Sequence, residues 1–473
     1  MKILLINPPI PPTCYNTEEF YLPSGLLYLA AVLIKNGEKV KILDLKTFKN
    51  KPEKPYGDII IDVISSFQPE LVGIGGLYSG NFPDELKYSL LIKKSFPEVP
   101  IVIGGIHATI YAIEILKNCL SIDWVILGEG EGSIIQLVDT LKSKRVEFDK
   151  INGFAYRKNG EIILTPQKEH IKNPDNIPFP AYNLIDLKDY YVDTSNWHNP
   201  KKLPINTSIP IISSRSCPHQ CPFCCMYMVM GPRWRARSPE NVVEEIEYLY
   251  HSYNHRHFSF MDDNFTFGKS RILEICNLIN KRRLNIQFET PNGLSIRTMD
   301  EEMVDALVSA GMVRTSLAIE SGSDFIRNKI MKKNLSREKI FEIIGLIKKY
   351  AHLYVSAFFI IGMPEETEET LMDTYNMIKE IHVNKIQLQN IAPFPGTRVF
   401  EQALRDNLFV DIELKDLYKS DVFDIKKDDR FFIKPYKLDL EKLREFRSKC
   451  NDLIAGQNLK RAKQRSAFRE FIK

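Results

Sequence analysis

The chain has 473 residues, of which 44% are apolar and 26% charged, and a formal net charge of +4. At roughly 150 residues per domain this length suggests about three domains of ordinary soluble composition. So small a net charge gives no strong attraction to nucleic acid or to an anionic membrane.

The opening MKILLINPPIPP is broken by proline pairs and carries no cleavage site, so it reads as a first strand and not a signal peptide. Strands are expected at Lys2–Asn7, Lys39–Leu45, Leu71–Gly76, Ile101–Gly105 and Trp124–Gly128, with helical stretches between them. The longest apolar run, Leu26–Ile34, falls short of the ~20 residues of a membrane span and reads as a buried helix that stops at Asn36-Gly37. This pattern predicts an open, doubly wound α/β sheet with ligands at its carboxyl edge. That edge reads Asn7-Pro8-Pro9, then Gly75-Gly76-Leu77-Tyr78-Ser79-Gly80, Gly104-Gly105-Ile106-His107 and Gly128-Glu129-Gly130-Glu131. Repeated glycine there lets a large ligand approach the backbone. A dinucleotide site would need G-x-G-x-x-G after the first strand, where this chain has prolines. A receiver-type phosphorylation module would need an acid cluster there, and it is missing.

Residues 151–208 form an irregular connector, with a small hairpin expected at Asn159-Gly160 and a candidate substrate contact at Trp197-His198-Asn199-Pro200. A strand at Ile209–Arg215 then leads into SSRSCPHQCPFCC, where Cys217, Cys221 and Cys224 make C-x-x-x-C-x-x-C. Pro218 and Pro222 keep this stretch from becoming a helix, so a loop can present three thiolates to one object. In a cytoplasmic protein, the expected location here, such a cluster points to metal or redox chemistry, not to a disulfide framework. Thiolates suit zinc or iron–sulfur centres, and three ligands leave one position open for chemistry. Cys225 or His219 could complete a zinc site, but structural zinc usually pairs two short hooks and there is no second hook. Cys14, Cys119, Cys276 and Cys450 are scattered and read as ordinary reduced residues.

Further strands are expected at His257–Asp262, Asn285–Thr290, Arg314–Glu320, Tyr354–Gly362 and Lys385–Ala392. Helices start at Ser238-Pro239-Glu240 and Ser336-Arg337-Glu338, and a third spans Glu366–Ile381. Repeated βα units predict a parallel, partly closed barrel with its site at the carboxyl strand ends. Those ends carry Asp262-Asp263-Asn264-Phe265, Arg297, Glu320-Ser321-Gly322-Ser323, Ile361-Gly362-Met363-Pro364 and Pro393-Phe394-Pro395-Gly396-Thr397. Each alone is ordinary loop or cap chemistry.

The cysteine spacing, Phe223 before the third cysteine, and D-D-N-F, I-E-S-G-S, I-I-G-M-P and P-F-P-G-T in this order resemble the radical S-adenosylmethionine (SAM) superfamily over about 190 residues. The segments N-P-P, P-S-G-L-L-Y-L-A, G-G-x-H-A-T and G-E-G-E resemble the cobalamin-binding domain that precedes many such barrels. The resemblance implies a [4Fe–4S] cluster on Cys217, Cys221 and Cys224. It implies SAM contacts at Phe223, Asp262, Asp263, Arg297, Glu320, Ser321 and Gly362. Cobalamin contacts are implied at Asn7, Pro8, Gly76, Tyr78, Ser79, Gly104, Gly105, His107, Gly128, Glu129 and Gly130. The D-x-H-x-x-G motif that gives cobalt a histidine elsewhere is absent, so the cobalamin is expected base-off, with His107 against its side chains or tail and Leu77–Gly80 near its lower face. Tyr78 is a cover for that face or a packing residue.

The expected divisions are a cobalamin-binding, Rossmann-like (flavodoxin-like) doubly wound sheet at 1–145, a linker at 146–205, a partial (β/α)6 TIM-like barrel at 206–405, and an α-rich end at 406–473. The basic stretch Asn458-Leu459-Lys460-Arg461-Ala462-Lys463 reads as an amphipathic helix with a solvated face, and contact with a membrane surface would suit a lipid substrate. The implied activity is methylation of an unactivated carbon of a small-molecule or lipid-like substrate through a 5′-deoxyadenosyl radical and methylcobalamin, with a flavodoxin- or ferredoxin-like reductant and no nucleic acid. An oxidative or ring-forming reaction without methyl transfer is the alternative. A transfer-RNA methylthiotransferase would need a second three-cysteine set that Cys14 and Cys119 do not make, and a cobalamin sensor would leave the cysteine loop idle. Cys221→Ala is expected to abolish the cluster absorption and SAM cleavage but to keep cobalamin binding. Unchanged cleavage, followed as 5′-deoxyadenosine, would refute the ligand assignment.

Overall fold

The computed structural model describes residues 1–9, 21–48, 53–76, 81–143, 147–419 and 430–472, with side chains up to Gln457. Cys14, Tyr78 and Ser79 therefore lie outside the described residues, as do the side chains of the basic C-terminal stretch.

Strands β1 (Lys2–Asn7), β2 (Lys39–Asp44), β3 (Leu71–Ile74), β4 (Ile101–Ile103) and β5 (Trp124–Ile126) form a parallel sheet in the order β2-β1-β3-β4-β5. This is the doubly wound, flavodoxin-like order. Helices cover both faces, which is why Ile3, Leu4, Leu5 and Ile6 read as one unbroken apolar run and are all buried. Because β1 pairs with both β2 and β3, the chain reverses direction there and opens a crevice at their carboxyl ends. Asn7 ends one of these strands, and Gly75-Gly76 follow the other.

The hairpin at Asn159-Gly160 belongs to this sheet rather than to a free connector. Asn159 (φ 52°) and Gly160 (φ 83°) both take the left-handed conformation that tight hairpins require. They join β6 (Phe154–Lys158) to β7 (Glu161–Thr165), and β6 runs antiparallel to β5. The aromatic rings of Phe148, Phe154 and Tyr156 pack together beside Trp124 and hold the hairpin on the sheet edge.

The second sheet contains β8 (Ile209–Ile211), then, after the short antiparallel pair β9 (Ser214–Arg215) and β10 (Arg235–Ala236), strands β11 (His257–Phe260), β12 (Gln287–Leu294), β13 (Met312–Glu320), β14 (Tyr354–Ile361) and β15 (Lys385–Asn390). All six main strands are parallel and sit in sequence order, with β8 and β15 at the two edges. The result is a partial barrel. Alternate residues of β14 show its two faces: Val355, Ala357, Phe359 and Ile361 are buried against helices, whereas Tyr354, Phe358 and Ile360 are half-exposed on the inner side. The expected single strand Ile209–Arg215 is broken in two. Ser213 and Ser214 both donate to Asp262, and this pulls the chain off the sheet just before the cysteines.

The Trp197-His198 stretch closes the amino end of the barrel, away from the carboxyl strand ends. Trp197 packs on His257 (ring centroids 5.5 Å apart), and His198 bonds the carbonyl of His352 (2.6 Å). The C-terminal region binds both halves together. Leu443, Phe446 and Cys450 of the helix Leu440–Ile472 enter the barrel core, while Leu417, Tyr418 and Phe432 enter the core of the first sheet.

Ser238 and Ser336 cap their helices as their positions in the sequence predict. The third helix starts at Glu368, capped by Thr367, and not at Glu366, whose buried carboxyl group accepts from the Met363 N–H (3.2 Å) before the helix begins. Gly322 lies against the helix Glu368–Glu380: a Cβ there would come within 2.7 Å of the Asp373 carbonyl carbon. Gly322→Ala should therefore destabilise the protein by ~1–3 kcal/mol through overpacking against backbone. A urea-unfolding midpoint equal to wild type would contradict this contact.

Candidate functional site

The cysteine loop leaves β9 at Ser216, whose φ of 66° turns the chain sharply. Cys221 is buried, and Cys217 and Cys224 are half-buried. The loop is folded by its own backbone, with the Cys224 N–H donating to the Cys221 carbonyl (3.1 Å). Asn264 Nδ2 donates to Cys217 Sγ at 3.6 Å. Burial raises all three thiols, Cys224 to about 12. Against that, the Lys333 ammonium lowers Cys217 and Cys221. Metal coordination takes the thiolate and displaces the proton, so three thiols on one loop, two of them beside the Lys333 ammonium, can serve as soft ligands. The donor set thus fits an iron–sulfur group.

Lys333 is the residue that sequence reading missed. Its ammonium pairs with Glu320 Oε1 at 3.0 Å, and Glu320 itself sits at φ 70°. Burial would lower Lys333, but Glu320 and the neighbouring thiols outweigh it and raise it. In the sequence, Lys332-Lys333 looks like any pair of surface lysines. Only the turn after β13 brings the second of them against the cysteine loop.

The paired aspartates separate in role. Asp262 is buried and engaged, accepting from Ser213 Oγ (2.8 Å), Ser213 N (3.2 Å) and Ser214 Oγ. The Asp263 carboxyl is pushed up to about 6 by burial and by Asp262. Arg297 is exposed and close enough to His219 to help burial lower that imidazole. Ser321 lies wholly buried beside Thr374, and Phe223 packs on the cluster of Met331, Met363 and Ile391. A Cβ on Gly362 would stand 3.3 Å from the Phe431 ring, so the C-terminal region roofs this strand end.

At the carboxyl edge of the first sheet, Asn7 donates to Asp44 (2.7 Å), and Pro8 is buried beside it. The Gly76 N–H donates to Glu85 Oε1 (2.9 Å), and a Cβ at Gly76 would overlap the Asn81 Cβ, so only glycine fits. Gly104 and Gly105 lead into the short helix Ile106–Ile110. His107 is not free to act as a ligand. It lies between the rings of Phe82 and Tyr111, and its Nε2 contacts the Tyr418 carbonyl at 2.9 Å. Burial lowers it to about 4, so the ring is neutral and its Nε2–H donates.

Glu129 and Glu131 do something the G-E-G-E pattern did not reveal. Glu129 pairs with Arg215 (3.0 Å) and Arg235 (2.6 Å), with His170 Nδ1 at 3.3 Å, and Glu131 pairs with the same Arg215. All four carboxylate and guanidinium groups are nearly buried. Arg215 stands two residues before Cys217. The turn after β5 is thereby tied directly to the entry of the cysteine loop, with Gly128 and Gly130 on either side of Glu129.

Burial alone would raise Glu131, but Arg215 outweighs it and holds the carboxyl below its ordinary 4.5. A lowered carboxyl contributes stability that is complete above pH 4.5 and is lost as pH falls toward the folded value. Arg215→Met leaves two buried carboxylates short of a partner and should cost ~3–5 kcal/mol. Urea unfolding at neutral pH measures it. A loss below ~1 kcal/mol would mean that the cluster contributes no more than an exposed pair.

Comparison with known proteins bears on this geometry. Residues 211–378 match the Radical SAM superfamily, and residues 14–138 match the B12 binding domain. The chain is 31% identical over 411 residues to an uncharacterised methyltransferase of Pyrococcus horikoshii, covering 87% of this chain and 84% of that one. It is 29% identical over 464 residues to the cytidylyl-2-hydroxyethylphosphonate methyltransferase of Streptomyces wedmorensis, covering 88% and 84%. It is 26% identical over 406 residues to the anaerobic magnesium-protoporphyrin IX monomethyl ester cyclase of Rubrivivax gelatinosus, covering 85% and 70%. Among solved structures, the radical SAM methyltransferase TsrM of Kitasatospora setae superposes with a TM-score of 0.70 at 17% identity, covering 86% of this chain and 76% of that chain. The chain belongs to the cobalamin-dependent radical SAM enzymes, whose cofactors are a [4Fe–4S] cluster, SAM and cobalamin.

Proposed function

We propose that this enzyme transfers a methyl group to an unactivated carbon of a small organic substrate. The observation that carries the reading is the Arg215 junction, which fastens the cobalamin-binding sheet to the strand entering the cysteine loop. A methyl carrier and a radical generator must act on one carbon in turn, and a rigid link between their sites suits that demand. The 31% identity to an uncharacterised methyltransferase and the 29% identity to the cytidylyl-2-hydroxyethylphosphonate methyltransferase support the same side of the choice. When bound, the cluster supplies an electron that cleaves SAM, and cobalamin carries the methyl group.

The chain's own residues divide the remaining work. Cys217, Cys221 and Cys224 hold the cluster. Lys333, paired with Glu320 at 3.0 Å beside the cysteine loop, would hold the carboxylate of SAM through a charge-assisted hydrogen bond. Of the two aspartates, Asp263 receives the ammonium, since Asp262 is committed to Ser213 and Ser214. Arg297 and Phe223 would border the rest of SAM, while the buried Ser321 and Gly362 shape the strand ends behind it. Asn7, Pro8, Gly76, Gly104, Gly105, Gly128 and Gly130 form the backbone cradle for cobalamin, and His107 serves it as a neutral scaffold instead of a cobalt ligand. Among the described residues no helix is long and apolar enough to cross a membrane.

Anaerobic reconstitution with iron, sulfide and hydroxocobalamin tests the reading, with SAM, a reductant such as flavodoxin or ferredoxin, and substrate added afterwards. The expected product gains one CH₂. A product that loses hydrogen or closes a ring, with no methyl gained, would favour the cyclase chemistry of the Rubrivivax relative. Lys333→Met should weaken SAM binding at least about tenfold, the loss expected from one charge-assisted hydrogen bond of ~1.5–3 kcal/mol, while leaving iron content unchanged. Wild-type SAM affinity in that variant would remove Lys333 from the site.

A further inference from the structure

The inner face of the barrel carries a pattern that the cofactors do not use. Residues paired across parallel strands point to the same side, so the registers define layers. Ser259, Glu289, Arg314 and Tyr354 share the layer next to the Trp197-His198 floor. Ser316 and Ser356 share the next. Above them come Ala318, Phe358 and Gln387, then Ile360 and Gln389. The helix-facing residues of β14 and β15 are buried, whereas Phe358, Ile360, Gln387 and Gln389 are half-exposed, so solvent reaches the upper layers of the interior.

Its lower part is polar and incompletely paired. Ser356 is only 1% exposed, yet its hydroxyl has no partner among the described residues. Gln389 Oε1 is likewise buried without one. Glu289 accepts from Ser259 Oγ (2.6 Å) and, at 3.5 Å, from the Tyr21 hydroxyl, and pairs with Arg314 at 3.6 Å, whose side chain is 35% exposed and has capacity for a further acceptor. A buried hydroxyl or amide without a partner costs ~1–3 kcal/mol, so such groups stand where water or a ligand completes them. Met261, Pro291, Ala318, Phe358 and Ile360 make the band above largely apolar.

Resting on the proposed radical chemistry at the strand ends, we infer that the lumen selects a water-soluble substrate whose hydroxyl, amide or ionic groups bind Ser356, Gln389, Glu289 and Arg314. Ser356 lies five residues below Ile361, about 16 Å of strand rise, so the molecule is elongated, with its reacting carbon in the apolar band. The apolar macrocycle of a tetrapyrrole, or the chain of an acyl lipid, placed at this depth would leave these polar groups unpaired and buried.

The test uses capture by the immobilised, reconstituted full chain from a whole-cell metabolite extract, with retained molecules identified by mass spectrometry. Wild-type protein is compared with Ser356→Ala/Gln389→Leu. The expected result is retention of compounds that partition into water, reduced about tenfold in the variant, as two lost hydrogen bonds of ~0.5–1.5 kcal/mol imply. Retention of chloroform-soluble pigments or lipids, equal retention by both proteins, or no retention would each overturn the inference. Gln389→Leu alone, at a half-exposed position, replaces the double variant if that one melts early. Iron and cobalt contents of the same preparations report on the cofactor reading separately, so failure of either idea is distinguishable.

Discussion

Four nearly buried charges at the junction of the two sheets set the working geometry of this protein. Arg215 and Arg235 meet Glu129 and Glu131, one pair from each side. Charges taken out of water are expensive, and an apolar junction of similar shape would be at least as stable. What ions add is directional bonding. Glu129 can satisfy two guanidinium groups only if the turn after β5 and the strand β9 stand at one distance and angle. Since β9 leads straight to Cys217, the position of the cysteine loop follows from that of the cobalamin-binding sheet.

The same constraint explains why the chain breaks off the barrel sheet after Ile211. Ser213 and Ser214 are drawn to Asp262, and Arg237 reaches back to Glu245 in the following helix, which also accepts from Tyr182 (2.6 Å). The loop is thus tied on one side to the barrel and on the other to the first sheet. An acid that looked suited to a ligand's ammonium is here a structural acceptor. Its neighbour Asp263, left without those serines, keeps a raised carboxyl beside the open site.

The C-terminal region adds a third tie. Tyr418 offers its carbonyl to His107, and Phe431 covers Gly362, so one segment touches both sheet edges. The apolar contacts of Leu417, Phe432 and Leu443 provide the burial, at ~25 cal/mol per Å² of apolar surface removed from water. The polar contacts set where it sits.

Much of this was legible in the sequence. Strand positions, the Ser238 and Ser336 caps, and the cysteine spacing depend on local propensity and short-range pattern, which one stretch of chain contains in full. The doubly wound sheet and the partial barrel followed from the alternation of those elements. The roles of Glu129, Asp262, His107 and Lys333 did not, because each depends on a partner outside its own stretch of chain: Arg215, Ser213, Tyr418 and Glu320. The hairpin at Asn159-Gly160 was visible as a turn, but its attachment to the first sheet needed Trp124 and Phe148 beside it. The sequence by itself determined which elements form and where three thiols cluster, since those are matters of neighbouring residues. The tertiary structure alone decided which carboxylates remain free for a ligand, because a buried charge goes to whichever opposite charge or donor the fold brings within reach.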